Sequence, residues 1–158
     1  MKSAVSFLRQ NCTVLALSPI YETIPVGLLN QPNFLNAAVL IETDLTFSAF
    51  KYTICRQLEQ KLKRVRVADK NAPRTIDCDI VLFNDEIFKC DGNSIPDPEI
   101  YKFPHLAVPI GRLLPTQKHP QTGESFTQIA ETILKKATAN NNGTPPIWER
   151  QEWNEALS

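Results

Sequence analysis

No stretch of the 158 residues approaches the roughly 18 consecutive apolar residues of a membrane-spanning helix. The first residues lack the apolar core and cleavage pattern of a secretory signal. Formal net charge is zero, 17 Lys and Arg against 17 Asp and Glu, so bulk charge gives no pull toward nucleic acid or an anionic membrane. Histidine is scarce, at two residues. The four cysteines, Cys12, Cys55, Cys78 and Cys90, show no C-x-x-C spacing, which argues against a zinc site. Scattered thiols without an export signal fit a reducing compartment, and a cytoplasmic location is expected. Only five glycines stand against twelve prolines, which points to ordered turns, and no internal repeat is present. What remains is a chain that is 42% apolar, long enough for one domain with a full core.

The rest of the chain is organised around Arg64 to Phe83, RVRVADKNAPRTIDCDIVLF. Its second half, Thr75 to Phe83, reads as a strand rich in Ile and Val. Asp77 and Asp79 sit two apart, so on a strand both carboxylates share one face, while Ile76, Cys78 and Ile80 point to the core. Two carboxylates on one face repel unless a cation lies between them, and such oxygens suit Mg²⁺. Lys61, Lys63, Arg64, Arg66, Lys70 and Arg74 lie close by, against Asp69 alone. Acidic metal ligands beside a basic loop are what phosphoryl transfer from a nucleotide requires, since both neutralise charge on phosphate oxygens. Taken singly, D-x-D is a weak pattern and a basic run at a helix end is more often a solvated face.

Lys2 to Gln10 reads as a helix and Cys12 to Leu17 as a strand. Thr23 to Asn33 is a loop by its Pro, Gly and Asn content. Phe34 to Thr43 is a strand apolar on both faces, hence central in its sheet. Phe34 and Asn36 share a face: either a ring and an amide that read a flat heterocycle, or a core aromatic beside a satisfied Asn. Asp44 or Thr46 caps a helix reaching Lys63, with Phe47, Phe50, Ile54, Leu58 and Leu62 inward. Glu59 reads as an exposed partner of Lys63. Lys63 to Pro73 is a loop, Glu86 to Lys89 a short strand and Asp91 to Pro98 another loop. Tyr101 to Leu114 is a helix broken or kinked at Pro109, and Ser125 to Lys136 is a second amphipathic helix. Residues 1–137 form the expected domain. Residues 138–158 are expected to be a polar tail, whose Trp148 and Trp153 either dock on the domain or once led to a further one.

The run A-P-R-T-I-D-C-D-I-V-L-F resembles the G-P-R-T-x-D-x-D-I/L-x-x-F/Y signature of the 6-hydroxymethyl-7,8-dihydropterin pyrophosphokinase family. S-P-I-Y-E-T-I-P-V-G and Q-P-N-F-L-N-A-A-V are similar to its other motifs, and the likeness runs from about Ser3 to Lys136. It implies an α+β fold with a ferredoxin-like antiparallel sheet and helices packed on it. It also implies transfer of pyrophosphate from ATP to the pterin in folate biosynthesis, giving AMP. By that resemblance Thr23, Ile24 and Val26 border the pterin, Phe34 stacks on it and Asn36 bonds its edge, with His105 as a second stacking group. Asp77 and Asp79 are ligands of two Mg²⁺ ions. Arg64, Arg66 and Arg74 act on the transferring group, and Glu59, Ile80 and Ser94 complete the ATP site. The partners implied are pterin and ATP, with no nucleic acid or membrane. The chain is expected to be a monomer, once fused to another folate-pathway domain.

The chain also departs from that pattern. The family opens with an interior strand ending in Gly-Ser-Asn, and this sequence opens at the following helix. The absence of that strand should leave its two neighbours unpaired. Asn71 and Ala72 replace the aromatic and Gly before P-R-T, and Asp97, Phe103 and His105 stand where the family has His, Arg and an aromatic. These changes leave open a non-catalytic descendant that binds a pterin, a nucleotide or a protein. A nucleic-acid binder on a similar sheet is the weakest alternative, because the basic residues cluster on one loop. The like charges at Lys63, Arg64, Arg66 and Lys70 predict that Lys63–Pro73 opens without nucleotide and closes over it.

Overall fold

The computed structural model describes residues 1–25, 32–64 and 75–154, apart from the side chain of Trp153. The architecture is α+β, with antiparallel strands and helices packed on them. Helix α1 (Lys2–Asn11) buries Ala4, Val5, Phe7 and Leu8, one face of a helical period. Strand β1 (Thr13–Leu17) pairs antiparallel with β4 (Val39–Glu42), with a register shift at Leu15 between Val14 and Ala16. Strand β2 (Tyr21–Thr23) pairs with β3 (Phe34–Asn36). The expected single strand from Phe34 to Thr43 is therefore two strands in two different sheets, β3 beside β2 and β4 beside β1.

Helix α2 (Phe47–Phe50) starts at Thr46, whose hydroxyl accepts the Ala49 amide, so Thr46 is the cap and Asp44 is not. It continues through a π-helical stretch (Lys51–Cys55) into α3 (Arg56–Lys61). Phe47, Phe50, Ile54 and Leu58 are buried as their period predicts. Glu59 is buried too, contrary to its reading as an exposed partner of Lys63, because the stripe turns it under Arg64.

Residues 75–83 were expected to be a strand but belong to no ladder. Their side chains still alternate: Thr75, Asp77 and Asp79 are exposed, while Ile76, Cys78 and Ile80 pack on the α1–α3 core that Val14, Val39 and Ile41 also cover. Among the described residues β4 has only β1 as a partner. A sheet element needs a neighbour to bond, and among the described residues segment 75–83 has none. Among the described residues the expected continuous sheet is three smaller ones.

Strands β5 (Phe88–Cys90) and β6 (Asn93–Ile95) form a hairpin around Asp91-Gly92, both at positive φ (51° and 75°). Aspartate-glycine is a strong two-residue hairpin signal, so the expected loop Asp91–Pro98 contains a turn and a strand. After a 3₁₀ turn (Pro98–Tyr101), α4 (Pro104–Leu113) starts later than expected and runs through Pro109. Helix α5 (Phe126–Asn140) opens with a capping box of Ser125 and Gln128 and continues past Lys136. Ile110 and Ala107 meet Phe126, Ile129 and Ile133 between these helices. At Gly111 a Cβ would lie 2.7 Å from Ala130 Cβ and 2.8 Å from the Phe126 carbonyl oxygen. Gly111→Ala is therefore expected to destabilise the fold by about 1–3 kcal/mol through overpacking, despite alanine's better helix propensity. A urea midpoint equal to or above wild type would refute this close approach.

The stretch expected to be a polar tail is not free of the domain. Strand β7 (Ile147–Glu149) pairs antiparallel with β2 and buries Ile147, and a short helix α6 (Gln151–Asn154) follows. Trp148 sits in β7 opposite Glu22, and its side chain is exposed. No helix among the described residues is long and apolar enough to cross a membrane.

Candidate functional site

Two groups of the expected site residues come together, one acidic and basic, one aromatic and polar. The first lies where α3 ends. Segment 75–83 is tied down at both ends: the Thr75 hydroxyl donates to the Leu62 carbonyl at 2.9 Å, and the Asp97 amide donates to the Val81 carbonyl at 2.8 Å. This anchoring, together with Ile76 and Ile80 in the core, turns Asp77 and Asp79 outward. Arg64, the residue after the helix's last turn at Lys63 (φ 61°), reaches back and bridges buried Glu59 to Asp77. The ion pair thus joins the helix end to the carboxylate segment.

Asp79 stands beside this bridge with one side to solvent and the other against the protein. Desolvation on that inner side, with the Asp77 carboxylate, pushes its carboxyl up to about 6; Arg64 opposes the shift, and Glu59 and Asp97 add to it. Asp97 was not expected to matter here. Its carboxylate is held by the Glu99 amide at 2.8 Å, at the start of the 3₁₀ turn, and its charge acts on Asp79. Between Asp77 and Asp79, the half-buried Cys78 thiol lies beside Cys55, and that neighbour and desolvation raise its pKa. It is an inert core thiol.

The second group lies on β2 and β3. The Asn36 side-chain amide donates to the Thr23 hydroxyl at 2.9 Å, across the ladder that sets Thr23 opposite Phe34. Thr23 is buried, Phe34 and Asn36 are half-buried, and Ile24 is exposed at the end of β2. Helix α4 packs against both strands. His105 is in its first turn, stacked on Phe103 with ring centroids 5.3 Å apart and 20° between planes. Burial lowers the pKa of His105, so a neutral ring is favoured.

Ser94 belongs to neither group. It lies in β6 opposite Lys89 and lines an open groove of about 490 Å³ with Ile87, Phe88, Tyr101 and His119. Ile80 turns its side chain into the core. His119 is buried, and its Nδ1 accepts from the Gln121 amide at 3.3 Å. Val26, Arg66 and Arg74, and with them most of the loops Thr23–Asn33 and Lys63–Pro73, lie outside the described residues.

One group is thus an outward carboxylate pair with a clamped arginine, and the other a strand pair bearing Phe34 and Asn36. Residues 1–115 match the model of the 7,8-dihydro-6-hydroxymethylpterin-pyrophosphokinase (HPPK) family. The chain belongs to the HPPK family. The 2-amino-4-hydroxy-6-hydroxymethyldihydropteridine pyrophosphokinase of Bacillus subtilis is 38% identical over 139 residues, which are 86% of this chain and 81% of that protein. The enzyme of the same name from Helicobacter pylori is 36% identical over 94 residues, 59% of this chain and 57% of its own length. The folic acid synthesis protein fol1 of Schizosaccharomyces pombe is 30% identical over 135 residues, 84% of this chain but only 18% of fol1. The HPPK match contains both residue groups and ends before α5 and β7.

Proposed function

We propose that this HPPK-family chain transfers the diphosphate of ATP to 6-hydroxymethyl-7,8-dihydropterin, with AMP as the other product. The observation that carries the reading is the outward Asp77/Asp79 pair with Arg64 clamped beside it, in a chain of this family. The pterin hydroxyl oxygen attacks the β-phosphorus, the bond from that phosphorus to the α–β bridging oxygen breaks, and the hydroxyl proton is released. No protein nucleophile is required.

Asp77 and Asp79 fit Mg²⁺ by their donor set, which is all oxygen and faces outward. Asp77 and Asp79 would hold two such ions, which when bound neutralise charge on the phosphate oxygens. Arg64, joined by Arg66 and Arg74, stabilises the transferring group, and buried Glu59 aims Arg64. Ser94, which lines a separate groove, and Ile80, whose side chain enters the core, are given no nucleotide contact in this reading. On the pterin side Phe34 and His105 stack on the ring, Asn36 bonds its edge, and Thr23, Ile24 and Val26 border it. Binding in this geometry supplies much of the acceleration by orientation.

Phe34→Ala is expected to raise KM for the pterin about 3- to 10-fold, the worth of one aromatic stack, with KM for ATP unchanged. Equal pterin KM values for variant and wild type would remove Phe34 from the site. A second reading, pterin binding without transfer, draws on Phe103 and Asp97 at positions where the resemblance implies Arg and His. Calorimetric pterin binding with no AMP released under Mg²⁺ and ATP would select it.

A further inference from the structure

The sheet β3–β2–β7 joins distant parts of the chain. On one side of β2, Thr23 lies opposite Phe34 and Tyr21 opposite Asn36. On its other side, Thr23 lies opposite Ile147 and Tyr21 opposite Glu149. The strand whose hydroxyl holds the Asn36 amide therefore takes its second neighbour from beyond the HPPK match. Two three-residue strands by themselves make a marginal pair in water, and a third strand completes the ladder along β2.

The attachment continues beyond β7. The Ile24 amide donates to the Pro146 carbonyl at 3.2 Å, and the Arg150 amide donates to the Ile20 carbonyl at 2.9 Å. Asn154 Oδ1 accepts the Ile20 amide at 2.8 Å. The Arg150 guanidinium pairs with Glu22 in the middle of β2 and with Glu152 on α6. Ile147 is buried. From Ile20 to Ile24, β2 is held along its length by the last part of the chain.

We propose that β7 with Arg150 and Asn154 is a positioning element for the pterin subsite. It sets the backbone of β2 so that Thr23 fixes the Asn36 amide and keeps Phe34 in register beside it. None of these C-terminal residues touches the substrate; they act through β2. This inference rests on the reading of Thr23, Phe34 and Asn36 as the pterin subsite, so its test runs beside a direct test of that reading.

The test uses the full chain with Arg150→Ala, Asn154→Ala, and Arg150→Lys as the conservative change. Steady-state AMP release gives KM for each substrate, and calorimetry gives pterin affinity directly, with or without turnover. Arg150→Ala and Asn154→Ala are each expected to weaken pterin binding about tenfold, with KM for ATP within about twofold of wild type. Arg150→Lys should recover part of the loss. Hydrogen exchange at Tyr21–Thr23 should quicken in the alanine variants. Pterin affinity within about twofold of wild type in both alanine variants overturns the proposal. So does a fall in kcat alone, the mark of a smaller folded fraction. If Phe34→Ala also leaves pterin affinity unchanged, the subsite reading fails and the proposal fails with it. If Phe34→Ala weakens pterin binding and the Arg150 and Asn154 variants do not, the positioning role alone fails.

Discussion

Asp79→Asn should all but stop diphosphate transfer while making the metal-free protein more resistant to heat. The two effects have one origin. In the folded chain, burial and Asp77 push the Asp79 carboxyl up to about 6, from an ordinary value of 3.8. The folded state then holds this proton more tightly than the unfolded state does. Between about pH 4 and 6 the native chain binds more protons, so stability falls as pH rises through that window and stays lower above it. Below the ordinary value the penalty is absent. Asparagine removes the charge and with it the penalty. The residue is exposed, so solvent screening reduces the effect to about 1 kcal/mol, roughly 2–4 °C in melting temperature for this length. The same change removes a ligand oxygen that carries charge, and AMP release should drop about 10²- to 10³-fold. Melting curves in chelator at pH 4 and pH 8 check the sign: the advantage of the variant should appear only at pH 8. Mg²⁺ should raise the melting temperature of wild type and not of the variant. Full Mg²⁺-dependent AMP release from Asp79→Asn would overturn the metal assignment.

Arg64→Ala has the second large effect, and it divides into two parts that one further substitution separates. Arg64 bridges Glu59, whose side chain is 5% exposed, to Asp77. Removing it takes a cation from a buried carboxylate, which costs about 3 kcal/mol. It also removes a fixed positive charge from the transferring group, expected to slow transfer about 10²- to 10³-fold. In Arg64→Ala with Glu59→Gln, the buried charge is gone as well. Stability should largely return, measured by urea unfolding, while AMP release stays low. Recovery of both would show that Arg64 acts only on the fold. Recovery of neither would show that Glu59 is not the group Arg64 stabilises.

The helical parts were legible because each carries its own record. Phe47, Phe50, Ile54 and Leu58 recur at the helical period and are buried, and Ser125 with Gln128 marks the start of α5. The D-x-D motif was legible for a similar local reason: alternation along residues 75–80 turns Asp77 and Asp79 out and Ile76, Cys78 and Ile80 in, even without a ladder. The Asp91-Gly92 hairpin is equally local, its signal confined to two residues inside a stretch of turn formers that runs on to Pro98.

The sequence by itself determined the family, the α+β class and the residue types of both groups, because motif spacing and side-chain period are properties of short stretches. Only the tertiary structure decided which distant stretches meet. It divided Phe34–Thr43 between two sheets, put Glu59 under Arg64, and brought the Asp97 charge to bear on Asp79. It also turned an apparent tail into the third strand beside β2. The physical reason is that strand pairing and buried ion pairs depend on partners many residues away, here Thr23 with Ile147 and Glu22 with Arg150. No local pattern in I-W-E-R distinguishes a strand that finds such a partner from a segment that finds none.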